Sequence, residues 1–181
     1  MHSNAANLAP FLIHLQENYP QHYHLVVETV RMVAPFFGDF VLAEVADGQT
    51  QLRWRDRYSE LVYNPSQLSD GTLRFICLAA LLLQPNPPAT IIIDEPELGL
   101  HPAAVQILVS LLYGAAERTQ LIVSTQSSLL VDELEPEEII VANTHEGETI
   151  LERLDGHQLE TWLEEYTIGQ LWEKNVLGGL P

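Results

Sequence analysis

The sequence predicts an α/β fold with an N-terminal helical segment and a small β-hairpin, and three observations predict it. From Thr90 to Pro102 the chain reads Thr-Ile-Ile-Ile-Asp-Glu-Pro-Glu-Leu-Gly-Leu-His-Pro: β-prone residues run into two adjacent carboxylates, then into a Pro and a Gly that turn the backbone. About 30 positions on, Leu121-Ile-Val-Ser-Thr-Gln-Ser is a second apolar run ending in polar residues. The stretch between them, opened by Pro102 and reaching Arg118, has helical character, so the two strands form a parallel crossover with their C-terminal tips together. The first 33 residues add helical apolar spacing.

Composition sets the limits. The chain has 181 residues, 46% of them hydrophobic, enough for one sizeable core. Eight Lys+Arg against 25 Asp+Glu give a formal charge of −17, which repels nucleic acid and anionic lipid and makes direct nucleic-acid binding by this chain a poor expectation. The single cysteine, Cys77, excludes an internal disulfide and suits a reducing cytoplasm. It lies in an apolar helical stretch, where it reads as a packed small hydrophobe rather than a reactive thiol. The longest apolar run, Phe75 to Leu83, is too short for a membrane span, and no secretion signal opens the sequence.

In order along the chain, Leu8, Phe11, Leu12 and Leu15 predict a helix to Glu17, and Tyr23, Val26, Val27, Val30 and Val33 a second from Gln21 to Val33. His22 and His24 point apart on that helix and read as exposed or capping side chains rather than a metal site. Asp39 to Ala46 and Gln51 to Arg57 read as strands joined by Asp47-Gly48. Arg53, Arg55 and Arg57 share one strand face, as solvated partners of nearby acids or as a contact for phosphate. Ser69 is an N-cap for a helix to Leu83, which Gln84-Pro85-Asn86-Pro87-Pro88 ends. Ser127 to Leu134 is expected to be helical, Ile139–Ala142 and Thr149–Leu154 a closing hairpin, and His157–Glu165 and Ile168–Lys174 two last helices.

Three stretches carry chemistry. Asp94-Glu95 at the end of a strand suits a metal-holding acid followed by a water-polarising acid, or two acids capping a turn. Leu68-Ser69-Asp70-Gly71-Thr72 opens a helix, where unsatisfied N–H groups, a hydroxyl and a side-chain-free Gly admit a phosphate, or merely cap the helix. Gln126 follows the second strand and, through the parallel crossover, would face the phosphate and water that Glu95 addresses; the alternative is a polar cap built on Ser124 or Ser127.

In this order and spacing, Leu68 to Ser128 resembles the C-terminal lobe of an ABC-type ATPase head of the SMC/RecF/OLD kind, part of a P-loop NTPase three-layer fold. Leu68–Thr72 matches the signature motif, with Asp70 and Thr72 departing from its usual Gly and Gln. Ile91–Glu95 matches Walker B. Glu97-Leu98-Gly99-Leu100-His101 falls on the D-loop, with His101 where transporters have Asp, and Gln126 falls on the switch position, normally His. Ser69–Phe75, Asp94–Pro102, Ser124–Ser127 and the tail Leu171-Trp-Glu-Lys-Asn-Val-Leu-Gly-Gly are similar to bacterial AAA/ABC ATPases related to RecF. The resemblance implies ATP and Mg²⁺ as cofactors, Asp94 as metal ligand, Glu95 and Gln126 as catalytic residues, and Ser69, Gly71 and His101 at nucleotide, with Ser69 and Gly71 against the γ-phosphate held by an opposite subunit. It also implies a single partial ATPase domain over 1–181: lead-in 1–60, signature, Walker B and switch core 61–143, closing hairpin and helices 144–181.

One part of such a head is absent from the sequence. Its only lysine, Lys174, follows no glycine loop, so the chain carries no Gly-x-x-x-x-Gly-Lys-Ser/Thr cradle. The expectation is an ATPase lobe completed by a Walker A-bearing polypeptide, a missing N-terminal half or a second copy. It would bind nucleotide and Mg²⁺ only weakly alone and leave the Gln120–Ser124 strand with an open edge. The alternative is a non-catalytic interaction module or degenerate remnant. A nuclease ranks third, since no further acid cluster completes a two-metal site.

Overall fold

Four α-helices, a small antiparallel sheet and a parallel strand pair build the first of two units. The computed structural model describes residues 5–45 and 49–179. The predicted Asp47-Gly48 turn lies outside them. Contacts divide the chain after Ser124.

Helix α1 (Leu8–Asn18) buries Leu8, Leu12 and Leu15, and α2 (Pro20–Val33) buries Tyr23, Val26, Val27 and Val30. Pro20 sits at the first position of α2, where its missing N–H costs nothing. Strand β1 (Phe37–Val45) begins earlier than the alternation suggests and pairs antiparallel with β2 (Gln49–Asp56), with a register shift between Phe37 and Asp39. Gly38 lies in that irregularity, and a Cβ there would stand 2.8 Å from the Arg55 carbonyl oxygen. A short strand, β3 (Val62–Tyr63), joins the other side of β2. Two residues are too few for periodicity to reveal, which is why the expected hairpin is a three-stranded sheet. Arg57 lies past the end of β2 and its N–H donates to the Phe36 carbonyl, so of the basic triplet only Arg53 and Arg55 are strand residues.

An aromatic cluster joins sheet to helices. Phe37 and Phe40 meet edge to face at 4.8 Å, and Trp54 stacks on Tyr63 at 4.8 Å. Tyr23 reaches from α2 to donate its hydroxyl to Asp39 Oδ1 at 2.8 Å. Burial first, and the Asp39 carboxylate second, push the Tyr23 phenol well above its ordinary range.

Helix α3 (Asp70–Leu82) follows, capped by Ser69, then β4 (Thr90–Asp94), α4 (Pro102–Ala116) and β5 (Gln120–Ser124). Strands β4 and β5 pair in parallel, Thr90 opposite Gln120 and Asp94 opposite Ser124. The loop ending α3 is closed by side chains from elsewhere. Arg118 donates to the Gln84 and Leu82 carbonyls at 2.8 Å each, and His22 Nδ1 donates to the Leu83 carbonyl at 2.8 Å. These bonds satisfy carbonyls that a helix C-terminus leaves open. His22 is thus a capping donor.

The second unit holds α5 (Ser128–Val131), a hairpin of β6 (Ile140–His145) and β7 (Glu148–Arg153), α6 (Gly156–Leu163) and α7 (Ile168–Glu173). Helix α5 is one turn, not the longer helix expected to Leu134: the chain leaves it for a short 3₁₀ turn at Pro136–Glu138. The hairpin starts at Ile140 and turns through Glu146 and Gly147, both at positive φ. Leu130, Ile168 and Leu171 are fully or nearly fully buried, and Gly169 N–H donates to Asp132 Oδ1 at 2.6 Å. In the tail, Asn143 Oδ1 accepts from Gly179 N–H at 2.6 Å. No described helix is long and apolar enough to cross a membrane.

The raised Tyr23 pKa sets an alkaline limit. Below about pH 10 the phenol is protonated in both states; above it the unfolded chain ionises while the folded one resists, so stability falls as pH rises. Tyr23→Phe is expected to cost about 1 kcal/mol at neutral pH and to flatten the loss between pH 9 and 11, read by urea denaturation at each pH.

Candidate functional site

The tip of β4 is built from main-chain geometry. Asp94 is the last strand residue, exposed, opposite Ser124 at the end of β5. The Ser124 hydroxyl donates to Asp94 Oδ1. The next residue, Glu95, has φ +47°, the left-handed region that side-chain-bearing residues rarely adopt. Its N–H extends the ladder by one bond, to the Ser124 carbonyl at 2.9 Å. Its own carbonyl is turned aside and accepts from Arg74 Nη1 at 2.7 Å and from Leu98 N–H at 3.2 Å. The strand thereby ends abruptly, with both carboxylates at its tip.

The loop beyond returns to the start of α3. Gly99, at φ +78°, lies so close to Gly71 that a Cβ at position 71 would stand 2.1 Å from the Gly99 carbonyl oxygen. Gly71 therefore answers to a packing requirement within the chain, whatever else approaches it. Ser69 Oγ accepts from Thr72 N–H at 3.1 Å and shares a hydrogen bond with Thr72 Oγ1 at 2.8 Å, which caps α3. His101 has a comparable duty: Nδ1 accepts from Ala103 N–H at 3.2 Å and caps α4, so that nitrogen carries the lone pair. The first unit thus brings Ser69 and Gly71 to one helix start, joins that start to the 97–101 loop through Gly99, and sets Asp94 and Glu95 at the loop's root. Gln126 belongs to the second unit and is exposed; Ser127, next to it, caps α5.

Two residues stand out that motif reading passed over. Arg74 is the one cation in the α3 run, five residues past Ser69, a signal visible in the sequence but mute about its target. Ser124, named in the sequence only as one of two alternative caps and within the Ser124–Ser127 stretch, orients Asp94; its signal was its place as last residue of the second parallel strand. Beside β4 an open groove of about 1010 Å³ is lined by Leu73, Arg74, Cys77, Ile92 and Asp94 among others. Burial pushes the Cys77 thiol up, only partly offset by the Arg74 charge.

Among the described residues no group of three or more His, Cys, Asp or Glu side chains gathers to hold a metal. One exposed carboxylate fixed by a hydroxyl fits Mg²⁺ in the form that keeps water and substrate phosphates as most of its octahedral shell. A self-sufficient protein cage is not what these residues offer.

A family model described as "AAA domain, putative AbiEii toxin, Type IV TA system" matches residues 5–132. The "Putative ABC transporter ATP-binding protein MG303" of Mycoplasma genitalium is 24% identical over 185 residues, 91% of this chain and 50% of the relative. The chain thus spans about half the length of the curated relative it matches. Among solved structures, one from "Structural biochemistry of ATP-driven dimerization and DNA stimulated activation of SMC ATPases" aligns with TM-score 0.60 and 16% identity over 86% of this chain and 96% of that one. The Smc head domain with an extended coiled coil bound to the C-terminal domain of ScpA, from Pyrococcus furiosus, aligns with TM-score 0.63 and 17% identity over 85% of this chain and 39% of that one. These likenesses show the fold.

Two glycines test the packing. Gly71→Ala drives a methyl into backbone and is expected to cost about 2 kcal/mol or more, whereas Gly114→Ala in α4, with nothing within 4 Å, is expected to be neutral or stabilising by about 0.5 kcal/mol. Urea unfolding reads both. Cys77 should react with a disulfide reagent at pH 8 at least about tenfold more slowly than a free thiol, and at the free rate once urea unfolds the chain.

Proposed function

This chain belongs to the AAA domain family whose model spans residues 5–132, and from that premise we propose that it contributes the signature, Walker B and switch side of an ATP site, with the phosphate cradle supplied by another polypeptide or by a segment outside this sequence. The observation that carries the proposal is the acid pair at the tips of a parallel strand pair that is bare on one face. Ile91 and Ile93 are buried, but Ile92 and its register partner Ile122 are 74% and 50% exposed. Parallel sheets are ordinarily covered on both faces. Strands β4 and β5 also have no further strand partners among the described residues. The absence of a glycine-lysine loop and the half-length match to the curated relative support the same reading.

In that reading Asp94, oriented by Ser124, would hold Mg²⁺, and Glu95 would polarise the attacking water. Mg²⁺ bound to the phosphates neutralises charge developing in phosphoryl transfer. Ser69 and Gly71, at the N-terminus of α3, would face the γ-phosphate of ATP on an opposite subunit, where helix N–H groups favour an anion. His101 would serve at the same nucleotide from the D-loop, and Gln126 would act from the switch position. Without the cradle, ATP and Mg²⁺ would be held weakly. A cytoplasmic setting, with a Walker A-bearing polypeptide or a second copy as partner, belongs to the same proposal.

Phosphate release tests it. The chain alone should show negligible turnover; mixed with a polypeptide carrying the P-loop, it should show steady hydrolysis that Glu95→Gln lowers by about a hundredfold or more. Steady hydrolysis by the purified chain alone, abolished by Glu95→Gln, would falsify the partner requirement. No hydrolysis in any completed assembly would favour the non-catalytic interaction module or degenerate remnant.

A further inference from the structure

A residue with φ near +50° and a side chain gives up about 1 kcal/mol or more to stay there, so the Glu95 turn has to be held from outside. Its N–H is fixed to the Ser124 carbonyl at 2.9 Å, the last rung of the β4–β5 pair. Its carbonyl points out of the ladder and meets the Arg74 guanidinium at 2.7 Å. A bond from a charged donor to a half-buried carbonyl is stronger than the neutral bond that Leu98 N–H makes to the same oxygen at 3.2 Å. Arg74 is itself well seated: it stands on α3, whose first turn packs on the same loop through Gly71 and Gly99.

We propose that Arg74 is a positioning residue that clamps the Glu95 peptide in its left-handed turn and so aims the Glu95 carboxylate from the tip of β4. Main chain and side chain share one Cα, so a turn released at the peptide swings the carboxylate with it. A misplacement of about 1 Å costs about a hundredfold in rate. The proposal rests on the ATPase reading for the value of that aim, but the clamp itself is measurable without nucleotide. Arg74 acts through Glu95 and not on the phosphate itself.

The test has two arms. Arg74→Met keeps the apolar stem and removes the donors; Arg74→Lys restores one donor. In the full chain alone, amide exchange followed by NMR should quicken about tenfold or more at Glu95 and Leu98 in Arg74→Met, remain unchanged at Leu108 and Leu112 in α4, and be partly restored by Arg74→Lys. In the assembly completed with a P-loop polypeptide, Arg74→Met should lower kcat about tenfold or more with KM within about threefold, and should add less than about threefold on top of Glu95→Gln. Unchanged exchange at Glu95 and Leu98 overturns the clamp. Exchange that quickens throughout α4, or kinetic losses that simply multiply in the double variant, overturns the positioning role. A wild-type assembly without ATPase activity overturns the ATPase reading and the catalytic share of this proposal with it, while the exchange arm still reports on the turn.

Discussion

The site depends on how one strand ends. Strand β4 delivers Asp94 in the plane of the ladder, and one residue later the chain adopts a conformation that Glu95 does not favour by itself. The Ser124 carbonyl accepts from the Glu95 N–H and the Arg74 guanidinium donates to the Glu95 carbonyl, so the residue is held through both of its main-chain polar groups. The same Ser124 binds Asp94 through its hydroxyl. One serine on β5 therefore governs both acids, which ties the parallel register directly to the chemistry at the tip.

The second constraint is steric. Gly71 and Gly99 bring the start of α3 and the loop after β4 into backbone contact that no side chain permits. The start of α3 and the loop that follows the acids are thus held against each other. Arg74 reinforces this contact from one turn further along α3.

The α/β class, the two long N-terminal helices, α3 and the parallel strand pair were legible in the sequence, because the apolar runs are strong and the stops clear at Pro20, Pro35, Pro85 and Gly99. The positions of Ser69, Gly71, Asp94, Glu95 and His101 on their elements followed from the same punctuation. Short or side-chain-determined features were not legible. Strand β3 has two residues and no period, α5 stops after one turn, and Arg57 falls past its strand because pairing ends at Asp56. The Glu95 turn was hidden because its conformation is imposed by Arg74 and Ser124, 21 and 29 positions away in the sequence, and not by Glu95 itself. Gly71 was read for phosphate access; its contact with Gly99 is a second demand that only the folded chain reveals.

In the proposed function these residues form one side of a nucleotide site whose cradle lies elsewhere. Calorimetric titration of Mg²⁺–ATP tests it most directly, first into this chain and then into a mixture with a polypeptide that carries the glycine-lysine loop. The chain alone is expected to show no saturable binding at nucleotide concentrations up to about 1 mM, and the mixture to show saturable binding at about 1–100 μM. Micromolar binding of ATP by this chain alone would contradict it.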